Sequence, residues 1–212
     1  MSGRYPVLLD VSRLRVLVVG GGEVGLRKVS GVLEAGGKPD VVAFEVRPEL
    51  ERLIAQRGLT WAQRPYAAGD VRGYHLVFAA TDAAEVNARV TAEAEAAGAL
   101  VNVADDGEES TFHVPSAIRR DEVVVAFSTG GASPLLSRRL RERLESVVTP
   151  GLGRTAGRLS TVRKQIRDRW PADEARRRDV WFSLVTPEFL DAAIAGRDAE
   201  VEQRIARCLS QS

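Results

Sequence analysis

Arg15-Val-Leu-Val-Val-Gly-Gly-Gly-Glu-Val-Gly-Leu-Arg-Lys28 decides the reading of this chain. Residues 15–19 form a short run of mostly branched side chains, ended by three glycines. An apolar run of that length beside a turn signal reads as a strand buried on both faces of a parallel sheet. Val24, Val29, Val32 and Leu33 then recur near helical spacing until Gly36-Gly37 stops the helix. Between the two lies Gly20-Gly-Gly-Glu-Val-Gly25, a G-x-G-x-x-G pattern. The bare pattern is unspecific, and its place between strand and helix is what gives it meaning. Glycine lets the backbone turn tightly and approach a pyrophosphate, whose charge the helix N-terminus meets. Gly20, Gly22 and Gly25 are therefore cofactor-binding candidates.

The same alternation continues outward. Strands are expected at 40–44, 59–63, 75–80 and 100–103, with helices at 48–57 and 83–97. Such alternation predicts a parallel sheet covered on both faces, a Rossmann-type α/β domain. After about residue 110 the regime changes. Two strands, 112–118 and 122–127, are expected around a turn at Arg119-Arg120-Asp121, followed by a helix from Ser133 to Val148. Thr149-Pro150-Gly151 breaks the chain, and three or four helices fill the rest. The expected division is a dinucleotide-binding domain at 1–111, a strand-helix segment at 112–148 and a small helical domain at 149–212.

Bulk composition fits a globular protein and narrows the function classes. Of 212 residues, 44% are hydrophobic and 28% charged, and the net charge of +1 gives no reason to expect nucleic-acid binding. The single cysteine, Cys208, forms neither an internal disulfide nor a zinc site by itself. The first residues lack the apolar stretch of a signal peptide, and no uncharged run approaches the roughly 18 residues of a membrane span. The expectation is a cytoplasmic protein with no membrane partner.

Glu45 lies 20 residues after Gly25, at the end of the expected second strand. An acidic residue there binds the adenosine ribose 2′-hydroxyl and favours NAD over NADP. Arg47, two residues later, is the feature that would suit a 2′-phosphate instead. Thr81-Asp82 ends the next long strand at the ligand-binding edge of the sheet, and Asp82 reads equally as a cap of the following helix. Asp105 and Asp106 follow the strand at 100–103. A carboxylate beside a nicotinamide acts as a base, while an acidic run is also an ordinary solvated loop. His113 reads as a packed strand residue rather than a metal ligand.

An ordered set of stretches carries a family resemblance. They are Pro6-Val-Leu-Leu-Asp10, the glycine turn through Lys28, Ala79-Ala-Thr-Asp82 with Val86-Asn87, and Val101-Asn-Val-Ala-Asp105. Phe112-His-Val-Pro-Ser116 and Ser128-Thr-Gly-Gly-Ala-Ser-Pro134 running into Arg141 follow, with Arg176-Arg-Arg and Trp181 beyond. Together these stretches resemble the precorrin-2 dehydrogenase family, the N-terminal module of siroheme synthases, which implies a Rossmann domain, a dimerisation segment and a helical domain, in a homodimer that oxidises precorrin-2 to sirohydrochlorin with NAD⁺. Some members also insert ferrous iron. The family's functional aspartate falls on Asp105, and its cofactor contacts on Gly22, Glu23, Val24, Phe44, Glu45 and Thr81. Asn102, Ser128, Thr129, Gly130, Ser133 and Arg138 are the implied substrate contacts, with no metal ligand among them. Thr129 departs from the two serines often found at this turn and keeps a hydroxyl. Arg119, Arg120, Arg139 and Arg141 add guanidinium groups suited to a substrate rich in carboxylates. Family members that also methylate carry a further C-terminal module, which is not expected here. The rival reading is a non-catalytic NAD-sensing regulatory domain, which needs the glycine turn and the ribose acid but not Asp105 or the Ser128–Pro134 turn.

Overall fold

The computed structural model describes residues 5–104 and 109–211. The chain divides after Val114 into two compact units.

The first unit is an all-parallel sheet of β1 (Val16–Val19), β2 (Pro39–Val42), β3 (Trp61–Ala62), β4 (Leu76–Ala79) and β5 (Leu100–Val103), in the order β3-β2-β1-β4-β5. Helices α1 (Glu23–Glu34), α2 (Pro48–Arg57) and α3 (Ala84–Ala96) make the crossovers. The four residues of β1 are all buried, and alternate ones serve different cores. Val16 and Val18 pack with Val29 and Val32 of α1 and with Leu50 and Ile54 of α2. Leu17 and Val19 pack with Val90 and Ala94 of α3. That is why β1 reads as an unbroken apolar run rather than an alternating one. The strand order reverses beside β1, so β2 lies on one side and β4 on the other. In open α/β sheets the crevice beyond the strand ends at such a reversal is where ligands bind.

The second unit holds the antiparallel hairpin β6 (Ser116–Arg120) and β7 (Val123–Phe127). Five helices follow: α4 (Pro134–Glu145), α5 (Pro150–Arg169), α6 (Glu174–Leu184), α7 (Pro187–Ile194) and α8 (Asp198–Gln211). Val162, Ile166, Val180, Leu184, Phe189, Val201 and Ile205 form the core of α5–α8. Across α5 and α8, Arg154 pairs with Asp198 and Arg158 with Glu202 at 2.9 and 2.7 Å. Among the described residues, no helix is long and apolar enough to cross a membrane.

Three expectations shift. The strand expected at 112–118 begins only at Ser116. Residues 110–112 bond to β5 instead: Thr111 Oγ1 accepts from the Val101 N–H at 2.7 Å and Ser110 Oγ from that of Val103 at 2.9 Å. Phe112 packs edge-on to Phe78 at 5.4 Å, and Pro115 has no N–H to give a ladder. His113 therefore lies half-buried outside any strand. The hairpin turn is Asp121-Glu122, because Arg120 pairs with Val123 and Asp121 takes the left-handed conformation at φ 50°. Thr149-Pro150 starts a helix as well as ending one: Thr149 Oγ1 accepts from the Leu152 N–H and Pro150 takes the first helical position.

Candidate functional site

The site is assembled where β1, β2 and β4 end side by side. The Gly20 N–H donates to Val42 O at 2.9 Å, the Ala80 N–H to Val19 O at 2.8 Å, and the Arg47 N–H to Gly21 O at 2.9 Å. The glycine turn is thus pinned to both neighbouring strands. A Cβ at Gly20 would stand 2.1 Å from Ala80 O, one at Gly21 2.1 Å from Glu45 O, and one at Gly25 2.2 Å from Gly20 O. Each of these positions excludes a side chain because backbone occupies the space.

Gly22 differs. A Cβ there would meet nothing within 4 Å. Gly22 is also the N-cap of α1, with no side chain capping the helix N–H groups. Bare N–H groups at a helix start, facing open space left by a glycine, are a fit for a pyrophosphate. Glu23 and Val24 open that first turn.

Phe44 and Glu45 leave β2 just beyond Ala43 and are exposed, Phe44 by 64%. Arg47, the residue suited to a 2′-phosphate, is an ion-pair partner of Glu49 at 3.5 Å. Glu49 is held below the usual carboxylate range, first by a backbone hydrogen bond at the start of α2 and then by Arg47 and Arg52. Trp61 was not singled out by the sequence, yet its indole N–H donates to Ala43 O at 2.9 Å and fixes the end of β2 next to Phe44. The signal was present as an aromatic at the strand neighbouring β2.

Thr81 lies two residues beyond β4, and Asp82 is not the cap of α3, which has Ala83 at its N-cap and no side-chain cap bond. The side chain that organises this edge is Asn87, 8% exposed, which bonds Thr81 at three atoms.

Asn102 is buried on β5. Its Oδ1 accepts from Lys28 Nζ at 2.8 Å and its Nδ2 donates to Phe112 O at 3.0 Å. Lys28 also lies 5.4 Å from the centre of the Phe78 ring. The pair links α1 to the end of β5. Asp105 and Asp106 lie outside the described residues.

In the second unit, Ser128 Oγ accepts from the Gly130 N–H at 3.1 Å, and the Thr129 and Ser137 hydroxyls share a hydrogen bond of 2.8 Å. Ser133 caps α4 through the Leu136 N–H. Arg138 and Arg139 both pair with Glu142, at 3.3 and 2.9 Å, and Arg141 donates to Ala117 O at 3.0 Å, holding α4 on the hairpin. Among the described residues, no group of three or more His, Cys, Asp or Glu is placed to hold a metal ion.

Residues 7–116 match the family described as "Putative NAD(P)-binding", and residues 125–146 match "Sirohaem biosynthesis protein central". A siroheme synthase of Chromobacterium violaceum is 43% identical over 95% of this chain and 44% of its own length. Siroheme synthase 3 of Aeromonas hydrophila is 38% identical over 96% of this chain and 43% of its own length. The chain therefore spans less than half the length of these relatives. The solved structure of SirC, precorrin-2 dehydrogenase, superposes with a TM-score of 0.78 at 27% identity, over 96% of this chain and all of that one. The chain belongs to the NAD(P)-binding family that its first unit matches, and it resembles the siroheme synthases over nearly its whole length.

Proposed function

We propose that this chain is an NAD-dependent dehydrogenase that oxidises precorrin-2 to sirohydrochlorin. The observation that carries the proposal is the open space at Gly22, at the uncapped start of α1, with Glu45 at the end of the adjoining strand. The activity printed for the solved neighbour, precorrin-2 dehydrogenase, and the siroheme synthase relatives supply the substrate.

NAD⁺, when bound, supplies a hydride acceptor. The α1 N–H groups and Gly22 hold its pyrophosphate, and Glu45 accepts from the ribose 2′-hydroxyl and repels a 2′-phosphate. Phe44 and Thr81 flank the cofactor from the ends of β2 and β4. Oxidation of precorrin-2 also releases a proton, and Asp105, two residues beyond β5, is the base that takes it. The Ser128–Ser133 turn and Arg138 contact the carboxylates of the substrate. Asn102, held by Lys28 and Phe112 O, serves by keeping the end of β5 in place.

The working form is a homodimer. Helix α4 buries none of its residues, and Leu135, Leu136 and Leu140 are 63, 55 and 37% exposed. A helix with such an apolar stripe covers it against a partner, and self-pairing across a two-fold axis is the commonest solution.

Asp105→Ala tests the assignment of the base. It should cut turnover by about 100-fold or more, the scale of a positioned general base, with NAD⁺ affinity within about twofold. Asp106→Ala should do much less. Equal effects of the two substitutions, or none, would remove Asp105 from the role. A chain that binds NAD⁺ but leaves precorrin-2 unchanged would support the NAD-sensing reading instead.

A further inference from the structure

The peptide joining Ala80 to Thr81 is the surface against which the first glycine of the cradle rests. A Cβ on Gly20 would lie 2.1 Å from Ala80 O and 3.0 Å from Thr81 N. The position of this peptide therefore sets the position of the turn. Strand pairing holds it up to the Ala80 N–H, which donates to Val19 O at 2.8 Å. Beyond that point the strand has ended, and the backbone needs another anchor.

Asn87, in the first turns of α3, is that anchor. Its Oδ1 accepts from the Thr81 N–H at 3.2 Å and lies 2.7 Å from Thr81 Oγ1. Its Nδ2 donates to Thr81 O at 2.9 Å. Its own backbone N–H donates to Ala83 O at 3.1 Å, so the helix it sits on is joined to the same loop. One buried amide thereby satisfies the N–H, the C=O and the hydroxyl of a single residue. A side-chain amide has both a donor and an acceptor end, which a carboxylate or an apolar group lacks. Thr81 has one hydroxyl proton, and Asn87 Oδ1 and Ala83 O at 3.1 Å are both there to accept it. Thr81 Oγ1 in turn accepts from the Ala83 N–H at 3.3 Å, so the hydroxyl is engaged within the loop.

We infer that Asn87 is a positioning residue for the dinucleotide site, acting through the Ala80–Thr81 peptide to hold the Gly20 end of the pyrophosphate cradle. The inference rests on the NAD reading above and adds a residue that touches no part of the cofactor. It acts through backbone, so the Thr81 hydroxyl is secondary.

Titration of the full chain with NAD⁺, alongside its thermal midpoint, tests this. Asn87→Leu should weaken NAD⁺ binding by more than about 10-fold, because the Ala80–Thr81 peptide must then be re-ordered when the cradle fills. Asn87→Asp keeps the acceptor, loses the donor to Thr81 O, and should fall between Asn87→Leu and wild type; it carries the test if Asn87→Leu does not fold. Val90→Ala, a core truncation in the same helix, should lower the midpoint without moving affinity. The inference is overturned if the Asn87 variants bind NAD⁺ as wild type does. It is equally overturned if Val90→Ala, matched in midpoint, loses as much affinity. A wild-type chain that binds neither NAD⁺ nor NADP⁺ would instead overturn the cofactor reading itself.

Discussion

A methyl group at Gly22 would touch no protein atom within 4 Å, and the backbone there, at φ −76° and ψ −166°, suits any residue. Gly22→Ala should therefore fold with an unchanged thermal midpoint. It should still lose NAD⁺ affinity by roughly 10–100-fold, because a methyl in a filled cradle costs about 1–3 kcal/mol. Calorimetric titration together with a melting curve separates the two effects, and undiminished binding would remove the pyrophosphate from this turn. Gly20, Gly21 and Gly25 fail differently, since their methyl groups would meet backbone oxygens at 2.1–2.2 Å. At Glu45 the test is discrimination. Glu45→Gln removes the charge that repels a 2′-phosphate, and the ratio of kcat/KM for NAD⁺ over NADP⁺ should fall by about 10-fold. An unchanged ratio would contradict the role given to Glu45. The glycines and Glu45 were legible because their spacing from a buried strand is itself the signal. Asn87 was marked only as part of a stretch shared with a family, and Trp61 not at all, because their work is done by hydrogen bonds to backbone six and 18 residues away. Nothing in a linear pattern marks an asparagine that will bracket a threonine six residues before it.

Helix α4 poses an element-scale question, since an isolated 12-residue helix with no buried residue is marginal in water. Leu136→Glu combined with Leu140→Glu places charge on the exposed apolar stripe. Sedimentation at micromolar concentration should show a dimer for wild type and a monomer for the double variant, with helix content kept. A monomeric wild type would refute the homodimer. A second element-scale test concerns the loop from β3 to β4. Tyr66 OH and the Gly69 N–H both donate to Glu93 Oε2, at 2.9 and 2.7 Å, tying the loop to α3. Arg64 grips Asp70 with two bonds of 2.7 and 2.8 Å. Glu93 is held below the usual carboxylate range, first by the Gly69 N–H, and Asp70 likewise, first by Arg64. Carboxyls lowered on folding stabilise above their unfolded values near ~4 and lose that contribution as pH falls through the folded ones. The thermal midpoint should thus drop as pH falls below about 4.5, and Asp70→Asn with Glu93→Gln should lower it at neutral pH and flatten the acid slope. An acid slope identical in wild type and double variant would show that the staple is not the source. Elements as such were well marked in the sequence, and boundaries less so. The strand expected from Phe112 begins at Ser116 because Ser110 and Thr111 use their hydroxyls on β5, and Pro115 lacks an N–H. That competition is decided by a neighbouring strand, which local propensity does not register.

At the scale of the whole molecule, each of the two units carries its own part of the sequence reading. The first carries the cofactor cradle at a reversal of strand order, and the second presents a hydroxyl-rich turn and an arginine-bearing helix. The parallel sheet was legible from the alternation of apolar runs and helical spacing. Three or four helices were expected after residue 149 and four are found, while their packing through Phe189 and the Arg154 and Arg158 pairs is a long-range outcome. The substrate rests on chemistry that only the reaction can report. The most direct measurement is anaerobic incubation of the purified chain with precorrin-2 and a limiting amount of NAD⁺, following NADH and sirohydrochlorin absorbance together. The account predicts that both rise in equal amounts, stop when NAD⁺ is consumed, and resume when NAD⁺ is added. Sirohydrochlorin formed at the same rate without NAD⁺, or precorrin-2 left unchanged by a chain saturated with NAD⁺, would contradict it.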